Sequence, residues 1–133
     1  MIVLDASAAI EWLLQTRVGQ GIEARLFAAG ETLHAPHLLD VEVAQVLRRF
    51  AAAGRITSER GWQALEDLTD LAAVRYPHQL LLPRTWELRH NLTAYDAVYI
   101  ALAEALGAVL VTCDARLAEA SGHQARVDVF GPA

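Results

Sequence analysis

A chain of 133 residues has the size of one domain, and residues 1–133 read as a single unit with room for one core and one site. Its 54% of hydrophobic residues is high for so small a chain, yet no apolar run reaches the ~18 residues that a membrane span needs. The formal charge of −5 excludes binding of nucleic acid through a broad basic surface, so a polyanion would have to be met through cations.

The single cysteine, Cys113, excludes an internal disulfide framework and cannot alone build a thiolate metal site. All 11 basic residues are arginine, so every chemistry that needs a lysine is excluded too. The start, Met-Ile-Val-Leu-Asp, has no basic segment, long apolar run or small-residue cleavage site, and the expected location is the cytoplasm. The high apolar content predicts surface that a partner covers.

In chain order, Ile2 to Leu4 reads as a short buried strand that ends at Asp5, ahead of the helix-forming Ala6-Ser7-Ala8-Ala9-Ile10. A second strand is expected at Leu33 to Ala35. From Leu38 to Ala53 the residues Leu39, Val43, Val46, Leu47 and Phe50 share one face at the helical period, and Gly54 stops that helix. Thr57 and Ser58 supply caps for a helix carrying Trp62, Leu65, Leu68 and Leu71, and a third strand follows at Ala73 to Arg75. Pro83 marks a turn or first helical turn before a helical stretch through Trp86 and Leu88. Thr93 opens the next helix, which runs to about Leu106 and ends at Gly107. A strand at Ala108 to Val111, Asp114, and helix-forming Ala115 to Ala120 repeat the pattern of the start, and Val127 to Val129 can add a fifth strand. Strands alternating with helices imply right-handed crossovers. The expected fold is α/β: three layers, with a mostly parallel sheet of four or five strands flanked by helices.

Asp5 and Asp114 each stand at a strand's carboxyl end where a helix begins, and a plain N-cap aspartate would give the same pattern. Thr93-x-x-Asp96 resembles a capping box, so a structural role accounts for Asp96 alone as well as a chemical one does. Glu42 and Asp40 lie at opposite edges of the apolar stripe of their helix, and periodicity does not choose between them. Position favours Asp40 as a first-turn acid complementing the helix dipole, which leaves Glu42 free.

Together the four acids say more. Ligands of open parallel sheets bind at the carboxyl ends of the strands, beside the switch in strand order, and Asp5, Glu42, Asp96 and Asp114 can all converge there. Such a cluster repels itself unless a cation compensates. Mg²⁺, or Mn²⁺ in its place, prefers oxygen ligands and accepts phosphate oxygens, which is the chemistry of phosphodiester cleavage by activated water. Ser7 and Thr112 are placed to orient waters or the carboxylates.

With these residues in order, the chain resembles the PIN-domain nucleases, particularly the VapC-like toxins of type II toxin–antitoxin modules. The resemblance rests on Ile-Val-Leu-Asp-Ala-Ser-Ala at the start, Ala-Pro-His-Leu-Leu-Asp-Val-Glu-Val around Glu42, Leu-Thr-Ala-Tyr-Asp-Ala around Asp96 and Leu-Val-Thr-Cys-Asp-Ala-Arg-Leu around Asp114. It implies a PIN-like fold, Mg²⁺- or Mn²⁺-dependent endoribonuclease activity on RNA, homodimerisation, and a cognate antitoxin whose C-terminal segment enters the acidic groove. By position, Asp5, Glu42 and Asp96 resemble the principal metal-binding acids of that family and Asp114 the fourth. Arg49, two turns after Glu42, and Arg116, just after Asp114, are placed to reach RNA phosphates, although a solvated surface position is favoured for both arginines; His90 and Asn91 could serve similarly, and loop polarity explains them equally.

Other readings fare worse. A dehalogenase-like phosphatase wants a second acid where Ser7 stands and a lysine; a phosphoacceptor receiver or a P-loop NTPase also needs lysine. His34 and His37 flank Pro36 in no zinc-binding pattern. Two alternatives stay open: a non-catalytic PIN module that only binds protein, and a PIN ribonuclease serving RNA processing without an antitoxin.

Overall fold

In a computed structural model, which describes residues 1–131, strands and helices alternate along the chain. In order they are β1 (Ile2–Leu4), α1 (Ala6–Leu13), α2 (Arg17–Leu26), β2 (Leu33–Pro36), α3 (Leu38–Ala52), α4 (Ser58–Asp70), β3 (Ala73–Tyr76), a 3₁₀ turn (Gln79–Leu81), α5 (Leu82–Glu87), α6 (Ala94–Leu106), β4 (Val109–Thr112), α7 (Ala115–Glu119) and β5 (Arg126–Val129). The sheet has five strands in the order β3-β2-β1-β4-β5, and each neighbouring pair is parallel.

Side chains alternate across a strand, and that alternation sorts the core into two halves. Ile2 and Leu4 of β1 and Val111 of β4 pack with α1 to α4 on one side of the sheet. Val3 and Leu110 point the other way and pack with α6 and with Leu88 and Leu117. Helix α6 is buried at seven consecutive residues, Ala97 to Ala103, as expected of a helix that is apolar all round. Leu4, Ile100 and Leu110 are 1% exposed or less, and burial of each stabilises the fold by about 1.5–3 kcal/mol.

Two glycines have geometric jobs. A Cβ on Gly19 would lie 1.9 Å from the backbone oxygen of Glu11, so only glycine lets α2 cross so close over α1. Gly107 ends α6 with φ of +63°, the left-handed cap that glycine adopts without strain.

Three details depart from the sequence expectations. Strand β4 begins at Val109 rather than Ala108 and runs on through Thr112, whose hydroxyl is thereby fixed at the sheet's edge. Trp62 is 64% exposed and does not share the buried face of α4, which consists of Gly61, Ala64 and Leu68. Helix α2 has no counterpart among the sequence-based elements.

The order of the strands places the site. β1 is central, and the chain builds outward from it in one direction through β2 and β3 and in the other through β4 and β5. The switch therefore lies between β1 and β4, at their carboxyl ends, where parallel sheets leave a crevice. Helix α3 starts at that edge because it follows β2, and α6 starts there because it runs back to feed β4.

Candidate active site

Asp5 stands directly after β1 and is 6% exposed. Its carboxylate caps α1 by accepting the Ala8 N–H at 3.1 Å, so the capping explanation is true as far as it goes. It takes more than a cap, however. Ser7 Oγ donates to Oδ1 at 2.7 Å and Thr112 Oγ1 donates to Oδ2 at 2.6 Å, and the two hydroxyls are 3.2 Å apart. The Cys113 N–H donates to Ser7 Oγ and the Asp114 N–H to Thr112 Oγ1, so β4 and the loop after it grip the end of β1 through this carboxylate. Burial raises the Asp5 pKa above the ordinary carboxylate value; its three hydrogen bonds oppose that rise, and the charge of Asp114 adds to it.

Glu42 is half-buried one turn inside α3. Tyr99 of α6 donates its phenolic hydroxyl to Glu42 Oε1 at 2.6 Å. Burial raises the Glu42 pKa, Tyr99 pulls it back, and the charges of Asp5 and Asp96 push it up again. The structure thus separates the two acids that periodicity left equivalent. Asp40 in the first turn of α3 is paired with Arg75, whose Nε lies 2.8 Å from Oδ2 and whose Nη2 lies 3.1 Å from Oδ1. Glu42 instead accepts a hydrogen bond from Tyr99 and feels the charges of Asp5 and Asp96.

Asp96 lies in the first turn of α6. Thr93 Oγ1 caps this helix by accepting the Asp96 N–H at 3.2 Å, but only half of a capping box is formed: among the described residues, the Asp96 carboxylate makes no hydrogen bond in return. Asp114 caps the short α7 through the Arg116 N–H and is clasped by the Arg116 guanidinium, with Nε 3.0 Å from Oδ1 and Nη2 2.5 Å from Oδ2. That clasp holds the Asp114 carboxyl below its ordinary pKa. Arg116 itself is 79% exposed and feels the charge of Asp96 as well.

The four acids of the sequence reading thus come from the end of β1, from α3, from α6 and from the loop after β4, and they are close enough for Asp5 to feel Asp114 and for Glu42 to feel both Asp5 and Asp96. Among the described residues, no three acidic, histidine or cysteine side chains are gathered tightly enough to hold one ion as they stand. The spread has physical causes. Like charges repel, hydroxyls tie Asp5 and Glu42, and Arg116 ties Asp114. The donor set itself is all oxygen, with two members desolvated and, among the described residues, no arginine hydrogen-bonded to either, which suits a hard divalent cation.

Of the polar residues singled out in sequence, Ser7 and Thr112 are bonded to Asp5 and Arg116 to Asp114. Arg49 stays apart: it is exposed in the last turn of α3, about 10 Å along the helix axis from Glu42. Asn91 has its amide nitrogen beside Gly122. Tyr99 was not foreseen, although its spacing of three from Asp96 puts both on one side of α6.

Comparisons with known proteins bear on the family and the fold. The PIN domain family model matches residues 2–122. Ribonuclease VapC9 of Mycobacterium tuberculosis is 49% identical over 129 residues, which cover 97% of this chain and 98% of that protein. Among solved structures, the sarcin–ricin-loop-cleaving toxin VapC20 of M. tuberculosis superposes with a TM-score of 0.68 at 17% identity, covering 93% of this chain and 97% of that one. VapBC2 of Rickettsia felis, solved with a DNA fragment from its promoter, gives a TM-score of 0.71 at 13% identity over 98% of this chain and all of that one (100%).

Proposed function

The chain belongs to the PIN-domain family, and on that premise we propose that it is an endoribonuclease dependent on a divalent metal, acting as the toxin of a toxin–antitoxin pair. The observation that carries the proposal is that four carboxylates from four separate elements lie around the switch between β1 and β4, near enough for Asp5 to feel Asp114 and for Glu42 to feel Asp5 and Asp96. Asp5 is the most telling member. Burying a carboxylate costs stability, and a module that only bound protein would gain nothing from one that is 6% exposed.

Asp5, Glu42, Asp96 and Asp114 would hold Mg²⁺, or Mn²⁺ in its place. A bound divalent cation would supply an activated water and neutralise charge that builds on the scissile phosphate. Ser7 and Thr112 fix both oxygens of Asp5, which limits its rotation at the crevice. Asp96 keeps its carboxylate unengaged, and Arg116, once released from Asp114, has an exposed fork for an RNA phosphate. Arg49 would meet the RNA further along, outside the cluster.

The rest of the assignment follows the family. The chain acts as a single domain in the cytoplasm, where its RNA substrate lies, and no helix among the described residues is long and apolar enough to cross a membrane. The antitoxin supplies arginine or lysine to the acids, as the net charge of −5 favours. The free protein is a homodimer, for which the exposed Leu80, Leu82 and Trp86 offer apolar surface. Sedimentation of the antitoxin-free protein at micromolar concentration should give the mass of a dimer, and a monomer there would refute the pairing.

The nuclease itself is tested by incubating purified, antitoxin-free protein with a total cellular RNA pool. Discrete products are expected with Mg²⁺ or Mn²⁺, and none with EDTA or with Asp5→Ala. Folded protein that cleaves nothing under either metal would leave the binding-only reading in its place.

A further inference from the structure

Resting on the metal-centre reading of the acids, we infer that Tyr99 is a positioning residue for that centre: its buried hydroxyl holds one oxygen of Glu42 and so sets the other toward the ion. Tyr99 is 3% exposed, lies in the fully buried run of α6 and reaches across to α3 with a 2.6 Å hydrogen bond to Glu42 Oε1. Among the described residues, Oε2 has no hydrogen-bond partner.

The bland alternative is that Tyr99 only fills the core. Phenylalanine would fill nearly the same volume without a polar atom to satisfy, so a hydroxyl buried here costs free energy unless its hydrogen bond is used. The partner it has found is an acid of the cluster, 57 residues away in sequence. The geometry is also economical in parts. Helix α6 contributes Asp96 in its first turn and, three residues later on the same side, the anchor of Glu42, so one rigid element fixes two of the four acids relative to each other. Glu42 sits on a long, rotatable side chain on a different helix, and without the phenol it could turn away from acids that repel it. Serine and threonine hydroxyls give Asp5 the same service at the sheet's edge. Groups that orient a metal ligand typically change metal affinity by 10–100-fold when removed.

The test is Mn²⁺ binding to RNA-free protein, followed by the loss of the free-ion signal in electron paramagnetic resonance, for the unchanged chain, Tyr99→Phe, Glu42→Gln and the double variant. Thermal unfolding is recorded for each. Tyr99→Phe is expected to weaken Mn²⁺ binding about tenfold while still unfolding cooperatively. Because it acts through Glu42, it should add nothing once Glu42 is already glutamine. Equal affinity of Tyr99→Phe and the unchanged chain would overturn the inference and spare the metal centre. A loss just as large in the Glu42→Gln background would also overturn it, since Tyr99 would then act on the fold at large. An unchanged chain that binds no Mn²⁺ would instead bring down the metal centre, and the inference with it.

Discussion

Asp96→Asn is expected to lower metal-dependent RNA cleavage by at least about a hundredfold while leaving the melting temperature of the metal-free protein close to that of the unchanged chain. The two halves of this result come from different features of one residue. The fold uses Asp96 through its backbone: its N–H donates to Thr93 Oγ1, and asparagine keeps that bond. The carboxylate makes no return bond among the described residues, so the substitution takes no hydrogen bond from the fold. What is lost is a charged oxygen beside Glu42. Folded Asp96→Asn with full activity would remove Asp96 from the site. A variant that loses activity together with several degrees of melting temperature would instead make it a structural cap, which is the reading its Thr-x-x-Asp spacing equally allowed.

That ambiguity marks the boundary of what the sequence could tell. The acids at the ends of β1 and β4 were legible because short apolar runs ending in Asp-Ala recur twice, and a parallel sheet sends both ends to one edge. Which of Asp40 and Glu42 is left free for the candidate site was not legible from periodicity, because the deciding contact is the pairing of Asp40 with Arg75 of β3, 35 residues on. The clasp of Arg116 on Asp114 needed side-chain geometry, since at that spacing a phosphate contact and an internal ion pair look alike.

The elements that escaped did so for specific reasons. Helix α2 contains Gly19 and Gly21, which lower helix propensity, and it is ordered by docking its bare backbone at Gly19 against Glu11. Trp62 was grouped with Leu65, Leu68 and Leu71 on the helix, but the face of α4 that meets its neighbours closely holds Gly61 and Ala64, so the large ring is left outside. Tyr99 was hidden because α6 is buried all round and offers no polar stripe against which one hydroxyl stands out.

Asp5→Asn is the second variant with a large expected effect, and its effects on activity and stability should have opposite signs. Cleavage should vanish, yet in EDTA at pH 7 the variant should be the more stable protein by about 1 kcal/mol, a rise of a few degrees in melting temperature. Asparagine caps a helix about as well as aspartate, and its amide can still serve Ala8, Ser7 and Thr112, whereas the charge that burial penalises is gone. The pH dependence follows from the direction of the shift. Burial raises the folded pKa of Asp5 above the ordinary carboxylate value, so the folded state holds this proton more tightly than the unfolded chain does. Ionised Asp5 therefore costs stability at neutral pH. The cost shrinks as pH falls through the raised folded pKa and is gone below the unfolded value, so the advantage of Asp5→Asn should fade over that window. A divalent cation reverses the ranking: Mn²⁺ at a hundred times its dissociation constant would stabilise the unchanged chain by about 2.7 kcal/mol and the variant far less. Melting curves of both proteins, in EDTA and in Mn²⁺, contain the whole argument. If the variant melts lower in EDTA, Asp5 is a structural cap whose charge the fold needs; if Mn²⁺ raises both proteins equally, the ion binds elsewhere. Crossing of the two orders would show that the fold tolerates a destabilising carboxylate at the end of β1 because a cation completes it.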